Sequence, residues 1–469
     1  MVIDDYSAFI ASKTRHAQPG GFDADLSAYD LFPFQRACVE WALHTGRCAL
    51  FEDTGLGKTF QQLVWAHEVV RHTDRPVLLL APLAVTEQTR REAVKFGVPD
   101  VSVVRDASSV TGPGIYITNY ERLHLFDPSM FSGVVLDESS ILKNVFGRTR
   151  RALCAFADGM RFRLCASATP APNDHTELGN HSEFLGLMDE AIMRARWFIN
   201  DLSEPVAPWR LKGHAEDDFW GWVASWARCV GRPSDVGPFD DSAYDLPELR
   251  QHIHMVSVDL SADRGDGMLF RVPDLSATSI HKEKRRTTAE RSRMVADLVD
   301  AEPVEPWAVW CETNYEQDEL CRVLPNAIDV RGSMSPEVKA EKLLRFTDEG
   351  GIIVTKPKIA GMGLNWQHCA RMAFVGGSYS YEAYYQTVRR SWRFGQVRPV
   401  DAHIVMAKTE AAMWTAIQRK AAGHSRMKDK MFSASRKAAA SRLSSTAYRP
   451  THSARLPSWL FSTLGDDNE

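Results

Sequence analysis

Long apolar runs are missing from this chain of 469 residues. A membrane-spanning helix needs about 18 or more consecutive apolar residues, and the longest stretches, such as VLLLAPLAV at 77–85, are strand-sized. The N-terminal MVIDDYSAFI is acidic and has neither the basic start nor the apolar middle of a secretory leader. Cysteine is scarce. The eight residues include no CxxC pair and no Cys/His cluster at zinc-ligand spacing, which argues against a disulfide framework and a structural zinc site. These absences together predict a reduced, cytoplasmic protein.

What is present is the mixture of a globular protein: 44% hydrophobic and 25% charged residues. At roughly 150 residues per domain, the length predicts about three domains. The net charge of −4 is unevenly spread. Residues 419–455 hold ten Lys/Arg against Asp429 alone, a balance of +9, while residues 1–418 hold 46 basic and 56 acidic residues, a balance of −10. A basic tail on an acidic body suits contact with a polyanion, and equally a solvated tail. Lys428, Lys430, Arg436, Lys437 and Arg442 are its candidate phosphate contacts. HKEKRR at 281–286 reads as a solvated linker.

Short apolar strands alternate with amphipathic helices from about residue 45, the signature of parallel α/β layers. Strands fit RCALF at 47–51, RPVLLLA at 75–81, VSVV at 101–104, GIYIT at 114–118, GVVLD at 133–137 and FRLCAS at 162–167. A second series fits WAVWC at 307–311, IDVR at 328–331, GIIVT at 351–355, RMAFVG at 371–376 and DAHIVMA at 401–407. Between them, about 190–285, lie Trp197, Trp209, Trp220, Trp222 and Trp226 and proline-rich turns. Phe219, Trp222 and Trp226 share one helical face, which predicts helical packing between domains in preference to a base-stacking platform. His175, His181 and the His368–Cys369 pair have no partner at metal-ligand spacing.

The strongest chemical signal is EDTGLGKTF at 52–60, directly after a strand and opening a helix. Such a loop aims backbone N–H groups and a helix N-terminus at phosphate oxygens. Lys58 would reach the β- and γ-phosphates, Thr59 would bind Mg²⁺, and Gly55 and Gly57 would let the backbone approach the nucleotide. Glu52 stands where the general phosphate-loop pattern has its first glycine. GVVLDESS at 133–140 supplies the acidic strand end that such a site needs. Asp137 would hold Mg²⁺ and Glu138 would polarise the attacking water. These residues predict a nucleoside-triphosphate hydrolase.

In its ordered motifs, from about residue 29 to 397, the chain resembles the superfamily 2 helicases, most closely the Snf2-like DNA translocases. LFPFQ at 31–35 resembles the adenine-reading element, with Gln35 as its glutamine, and GLGKT at 55–59 and DESS at 137–140 match the two hydrolysis motifs. APLAVTEQTRREAVKF at 81–96 and ITNYERL at 117–123 are similar to segments that touch the DNA backbone, which implies contacts from Pro82, Thr118 and Asn119, although Thr89 stands where the family has Trp. SATP at 167–170 matches the motif coupling hydrolysis to domain movement, through Ser167 and Thr169. AGMGLN at 360–365, with Gly363, resembles a motif that touches nucleic acid and signals to the nucleotide. QTVRRSWRFGQ at 386–396 matches the last motif, so that Gln386 would couple and Arg390 and Arg393 would be arginine fingers.

The resemblance implies two RecA-like parallel-sheet lobes with a nucleotide cleft between them, plus a helical Trp-rich insert and a basic C-terminal tail. The expected divisions are an N-terminal segment 1–28, an ATP-binding lobe 29–190, an insert 191–285, a second lobe 286–425 and a tail 426–469. It implies a compact bacterial or phage protein of the bacterial or infected-host cytoplasm. Such a protein would use ATP and Mg²⁺ and move along double-stranded DNA through phosphates without base specificity, as a monomer, with room for a protein partner. A strand-separating DNA or RNA helicase and an ATP-gated DNA-binding subunit remain as alternatives.

Overall fold

The computed structural model describes residues 20–143, 147–171, 174–200, 209–257, 284–360, 365–376 and 380–441. Gly363 and the end of the basic tail, with Arg442, lie outside them.

Two wholly parallel sheets form the body. The first contains β1 (Arg47–Glu52), β2 (Val77–Ala81), β3 (Val101–Val103), β4 (Ile115–Asn119), β5 (Gly133–Asp137), β6 (Phe162–Ala166) and β7 (Ala227–Val230), in the order β3-β4-β2-β5-β6-β1-β7. Strands such as VLLLA of β2 are buried at every residue, because a parallel sheet carries helices on both faces. Helix α1 (Pro33–Thr45) begins on proline, which tolerates a helix's first turn, and ends at Gly46. Helix α2 (Lys58–Thr73) begins just after Gly57. Leu63, Val64 and Trp65 of α2 pack under one face of the sheet with Leu50, Leu79 and Ile117.

The second sheet contains β8 (Leu249–Val256), β9 (Trp307–Trp310), β10 (Ile328–Asp329), β11 (Ile352–Thr355), β12 (Arg371–Val375) and β13 (Val400–Ala407), in the order β8-β13-β12-β9-β11-β10. The two-lobe α/β architecture expected from the sequence is present.

The expected separate insert over 191–285 does not form among its described residues. Helix α4 (Glu216–Trp226) covers the other face of the first sheet, following α3 (Glu177–Phe184) in the chain. Trp226 meets Phe51 edge-on and Trp222 stacks on Trp197 with ring centroids 4.7 Å apart. ARCV at 227–230, within the stretch taken as insert, is a buried strand that extends the sheet beyond β1. Residues 249–256 pair with β13 and belong to the second sheet. The Trp-rich stretch is thus shared between the lobes, because the apolar face of β1 and its neighbours has to be covered.

The basic tail also differs from expectation. Helix α5 (Tyr381–Val388) leads into the last motif, and after β13 the chain forms a single helix, α6 (Ala411–Ser441), 31 residues and about 46 Å long. Its start, Trp414 and Ile417, packs in the second lobe's core. Further along, Met427 and Met431 join the first lobe's core, and Ser435 Oγ accepts the N–H of Cys229 at 2.9 Å. Residues 426–441 are therefore a strap between lobes and not a solvated tail, since α6 has an apolar stripe to bury along with its charges. No described helix is long and apolar enough to cross a membrane.

Candidate active site

The loop at 53–57 joins β1 to α2 at the carboxyl end of the first sheet. Gly55 and Gly57 have φ of +96° and +83°, the left-handed region that favours glycine. A Cβ on Gly57 would stand 2.3 Å from Gln35 Nε2, and one on Gly55 would stand 2.9 Å from the backbone N of Phe394. Besides clearing a nucleotide, these glycines let Gln35 and the second lobe rest on the loop. Gln35 donates Nε2 to the Leu56 carbonyl at 2.8 Å and accepts the Phe32 N–H at 3.1 Å.

Lys58 is folded into the loop, donating Nζ to the carbonyls of Glu52 at 2.7 Å and Asp53 at 2.9 Å. Burial lowers its pKa, against the pull of Glu52, Glu138, Asp53 and Asp137. Thr59 is half-buried in the first turn of α2, whose N-terminus no side chain caps. Asp137, ending β5, accepts Gln62 Nε2 at 3.0 Å. Burial pushes its pKa up to about 6, and Glu138 adds to the shift while Gln62 and Lys58 oppose it.

Glu138 has φ of +59°, costly for a side-chain-bearing residue. It accepts Ser167 Oγ at 2.8 Å and Ser140 Oγ at 3.0 Å, and Ser167 Oγ in turn accepts the Thr169 N–H at 3.0 Å. DESS and SATP, 29 residues apart, are thus bonded directly. Ser167 and Thr169 are fully buried. From the second lobe, Arg390 is buried within electrostatic reach of Asp137 and Glu138. Burial and Arg393 pull its pKa down to about 9, against those two carboxylates. Arg393 instead feels Glu92 of the first lobe. The 53–59 loop, an acidic strand end bonded through Ser167 to SATP, and Arg390 from the second lobe now stand together. Residues 34–220 match the SNF2-related domain family.

The chain carries an SNF2-related domain. Over those residues the chain is similar to the Snf2-like, superfamily 2 helicase-like ATPases, the family that the motifs resemble. The chain is 23% identical over 440 residues to the SWI/SNF-related matrix-associated actin-dependent regulator of chromatin subfamily A-like protein 1 of Xenopus laevis, covering 85% of this chain and 45% of that protein. It is 25% identical over 164 residues to the DNA annealing helicase and endonuclease ZRANB3 of Bos taurus, covering 32% of this chain and 15% of that protein. The chain thus spans less than half the length of these curated relatives. A solved Sulfolobus solfataricus SWI2/SNF2 ATPase core in complex with dsDNA is similar over 90% of this chain and 96% of that one, at 16% identity and a TM-score of 0.42.

Other expected residues sit differently. Thr118 and Asn119 end β4 buried, 1% and 6% exposed, so they do not face a duplex in this conformation. Pro82, just past β2, is half-buried, as is Gln386 on α5. Lys430 is paired with Glu216 at 3.4 Å. Lys428, expected on DNA phosphates, is turned inward, 3.3 Å from Asp53.

Four residues meet here, of which Asp53 and Arg389 carried no expectation of their own and Lys428 was expected on DNA. Asp53 receives the Tyr385 hydroxyl, and lies 3.3 Å from both Arg389 and Lys428. Arg389 also donates to the Thr54 carbonyl at 2.7 Å. The adjacent Arg389–Arg390 pair and the acid beside the loop were the only sequence signals.

Among the described residues no group of three or more His, Cys, Asp or Glu is placed to hold a metal ion. The expected donors for Mg²⁺, Thr59 and Asp137, would both offer oxygen of the hard kind this ion prefers. The raised pKa of Asp137 beside a second carboxylate fits a divalent cation, which would favour the charged form. Glu52 is fully buried, accepts Gln61 Nε2 at 2.8 Å, and is pushed by burial up to about 7 from 4.5. A raised carboxyl pKa stabilises the fold at acid pH, and that contribution is lost as pH climbs through 4.5 to about 7. Glu52→Gln is therefore expected to raise the melting temperature at pH 8, by at most about 3 kcal/mol of stability, and to leave it nearly unchanged at pH 5. Thermal unfolding across this range checks it; a difference independent of pH would refute the assignment.

Proposed function

We propose that this chain is an ATP-dependent motor that moves along double-stranded DNA by gripping its phosphates. The observation that carries the reading is Arg390 of the second lobe buried within electrostatic reach of Asp137 and Glu138 of the first, with Glu138 bonded to Ser167. ATP would lie on the 53–59 loop with Gln35 at its base end. Thr59 and Asp137 would hold Mg²⁺, whose chemistry is to neutralise charge on the phosphate oxygens. Lys58 would exchange the Glu52 and Asp53 carbonyls for phosphate. Glu138 would orient and polarise the attacking water. Arg390, aided by Arg393, would neutralise charge building on the γ-phosphoryl group.

Ser167 touches the catalytic carboxylate and opens the segment that runs on to α3. A change at the γ-phosphate would therefore reach the body of the lobe, and opening and closing of the two lobes would ratchet one along the backbone. Such contacts ignore base identity. DNA as the track is supported by the motif set and by a relative named for DNA annealing and helicase action. We take the motor to work as a monomer, alone or beside a protein partner.

Steady-state ATP hydrolysis with no nucleic acid, single-stranded DNA, duplex DNA or RNA tests the proposal, with Lys58→Ala as the background control. Stimulation greatest with duplex DNA is expected. Stimulation by single strands or RNA alone would favour a helicase, and none at all an ATP-gated binding subunit.

A further inference from the structure

The group around Asp53 is built from distant parts of the chain. Asp53 belongs to the phosphate loop, Tyr385 and Arg389 to the segment that carries Arg390, and Lys428 to α6. Lys428 also donates to the Tyr385 hydroxyl at 2.9 Å and lies 4.9 Å from that ring's centre. Its side chain is 14% exposed, that of Arg389 5% and that of Asp53 20%. His424, one turn earlier on α6, packs against Tyr381 and Tyr385. Burial disfavours every charge here, yet Arg389 and Lys428 outweigh it and hold the Asp53 carboxyl well below the usual range. Lys428 stays a cation for the reciprocal reason.

The buried carboxylate is thus shared by a cation from α5's end and a cation from α6. Losing either leaves buried charge poorly compensated, which is costly. Asp53 lies five residues before Lys58, and Arg389 is the immediate neighbour of Arg390. A contact between the outer pair therefore governs the spacing between the inner pair.

We propose that Asp53, Tyr385, Arg389 and Lys428 form a latch that sets how the second lobe's arginines meet the phosphate loop, with Lys428 as the positioning residue through which α6 controls hydrolysis. This rests on the ATPase reading for its kinetic consequence. The latch itself is a matter of structure. It must loosen whenever the lobes part, so α6 reports lobe closure to the loop.

The test compares Lys428→Met, Lys428→Arg, Asp53→Asn and, as a control at an exposed position of the same helix, Gln418→Met in the full chain. For Lys428→Met, kcat should fall about tenfold while the KM for ATP moves less than about threefold, the pattern of misplaced and not missing machinery. In nucleotide-free protein, amide hydrogen exchange should rise at both 53–57 and 385–393. Lys428→Arg should restore both readouts, Asp53→Asn should reproduce the exchange pattern from the loop side, and Gln418→Met should change neither. Exchange that rises only within 411–441, or an unchanged kcat in a Lys428→Met chain that melts like wild type, would overturn the latch. If wild type hydrolyses no ATP, the ATPase reading fails and the exchange pattern alone decides the latch. Should Lys428→Met not fold, Asp53→Asn carries the same two outcomes.

Discussion

Replacing Arg390 by alanine is expected to slow ATP hydrolysis by at least about 10³-fold, the scale of losing an arginine finger. The guanidinium is buried within electrostatic reach of Asp137 and Glu138, so its charge acts in a site with little water to screen it. It comes from the lobe opposite the phosphate loop, so its contribution belongs to the closed, reacting state more than to ATP binding. The loss should fall on kcat, with the affinity for a fluorescent ATP analogue little changed. Arg390→Lys should rescue poorly, because a point charge does not replace a planar fork of donors. Single-turnover hydrolysis measures the chemical step directly. A fall of less than tenfold would remove Arg390 from the reaction.

Glu138→Gln should abolish most turnover by a different route. The carboxylate is the base end of the proposed hydrolysis, and loss of a positioned base costs roughly 10²–10⁴-fold. Glutamine has nearly the same shape, and its amide oxygen can still accept the Ser167 and Ser140 hydroxyls. The link to SATP should therefore survive, and the variant should bind ATP and stay in the ATP-bound state. The expected result is a chain that retains labelled ATP through gel filtration and holds duplex DNA longer than wild type. Hydrolysis at wild-type rate would put the water-polarising role elsewhere; loss of ATP binding as well would mean that Glu138 is structural.

How much of this was legible beforehand depends on how far apart the partners lie. The loop at 52–60 was legible because its glycines, lysine and threonine are contiguous and their chemistry is local. Asp137 and Glu138 were legible because a strand of apolar residues ends on them. Their bond to Ser167 was not. It exists because β5 and β6 are neighbours in register, Asp137 opposite Ala166, so the residues that follow each strand emerge side by side. That register brings Glu138 within reach of Ser167.

The misplaced elements share a cause. Lys428 read as a DNA-phosphate contact on a basic stretch because nothing near it in sequence is acidic except Asp429. Its partner, Asp53, is 375 residues away. ARCV at 227–230 is too short and too isolated to read as a strand until β1 is seen to offer it an edge.

The sequence by itself determined the local chemistry: two series of buried parallel strands, a phosphate loop opening a helix, acids at a strand end and a run of arginines. Only the tertiary structure decided which surfaces the Trp-rich stretch covers, that Thr118 and Asn119 are buried, and that a basic helix straps one lobe to the other. The first set depends on backbone propensities and residue spacing within a few turns of chain. The second depends on which apolar faces and buried charges remain uncompensated once both sheets exist, and those partners are hundreds of residues apart.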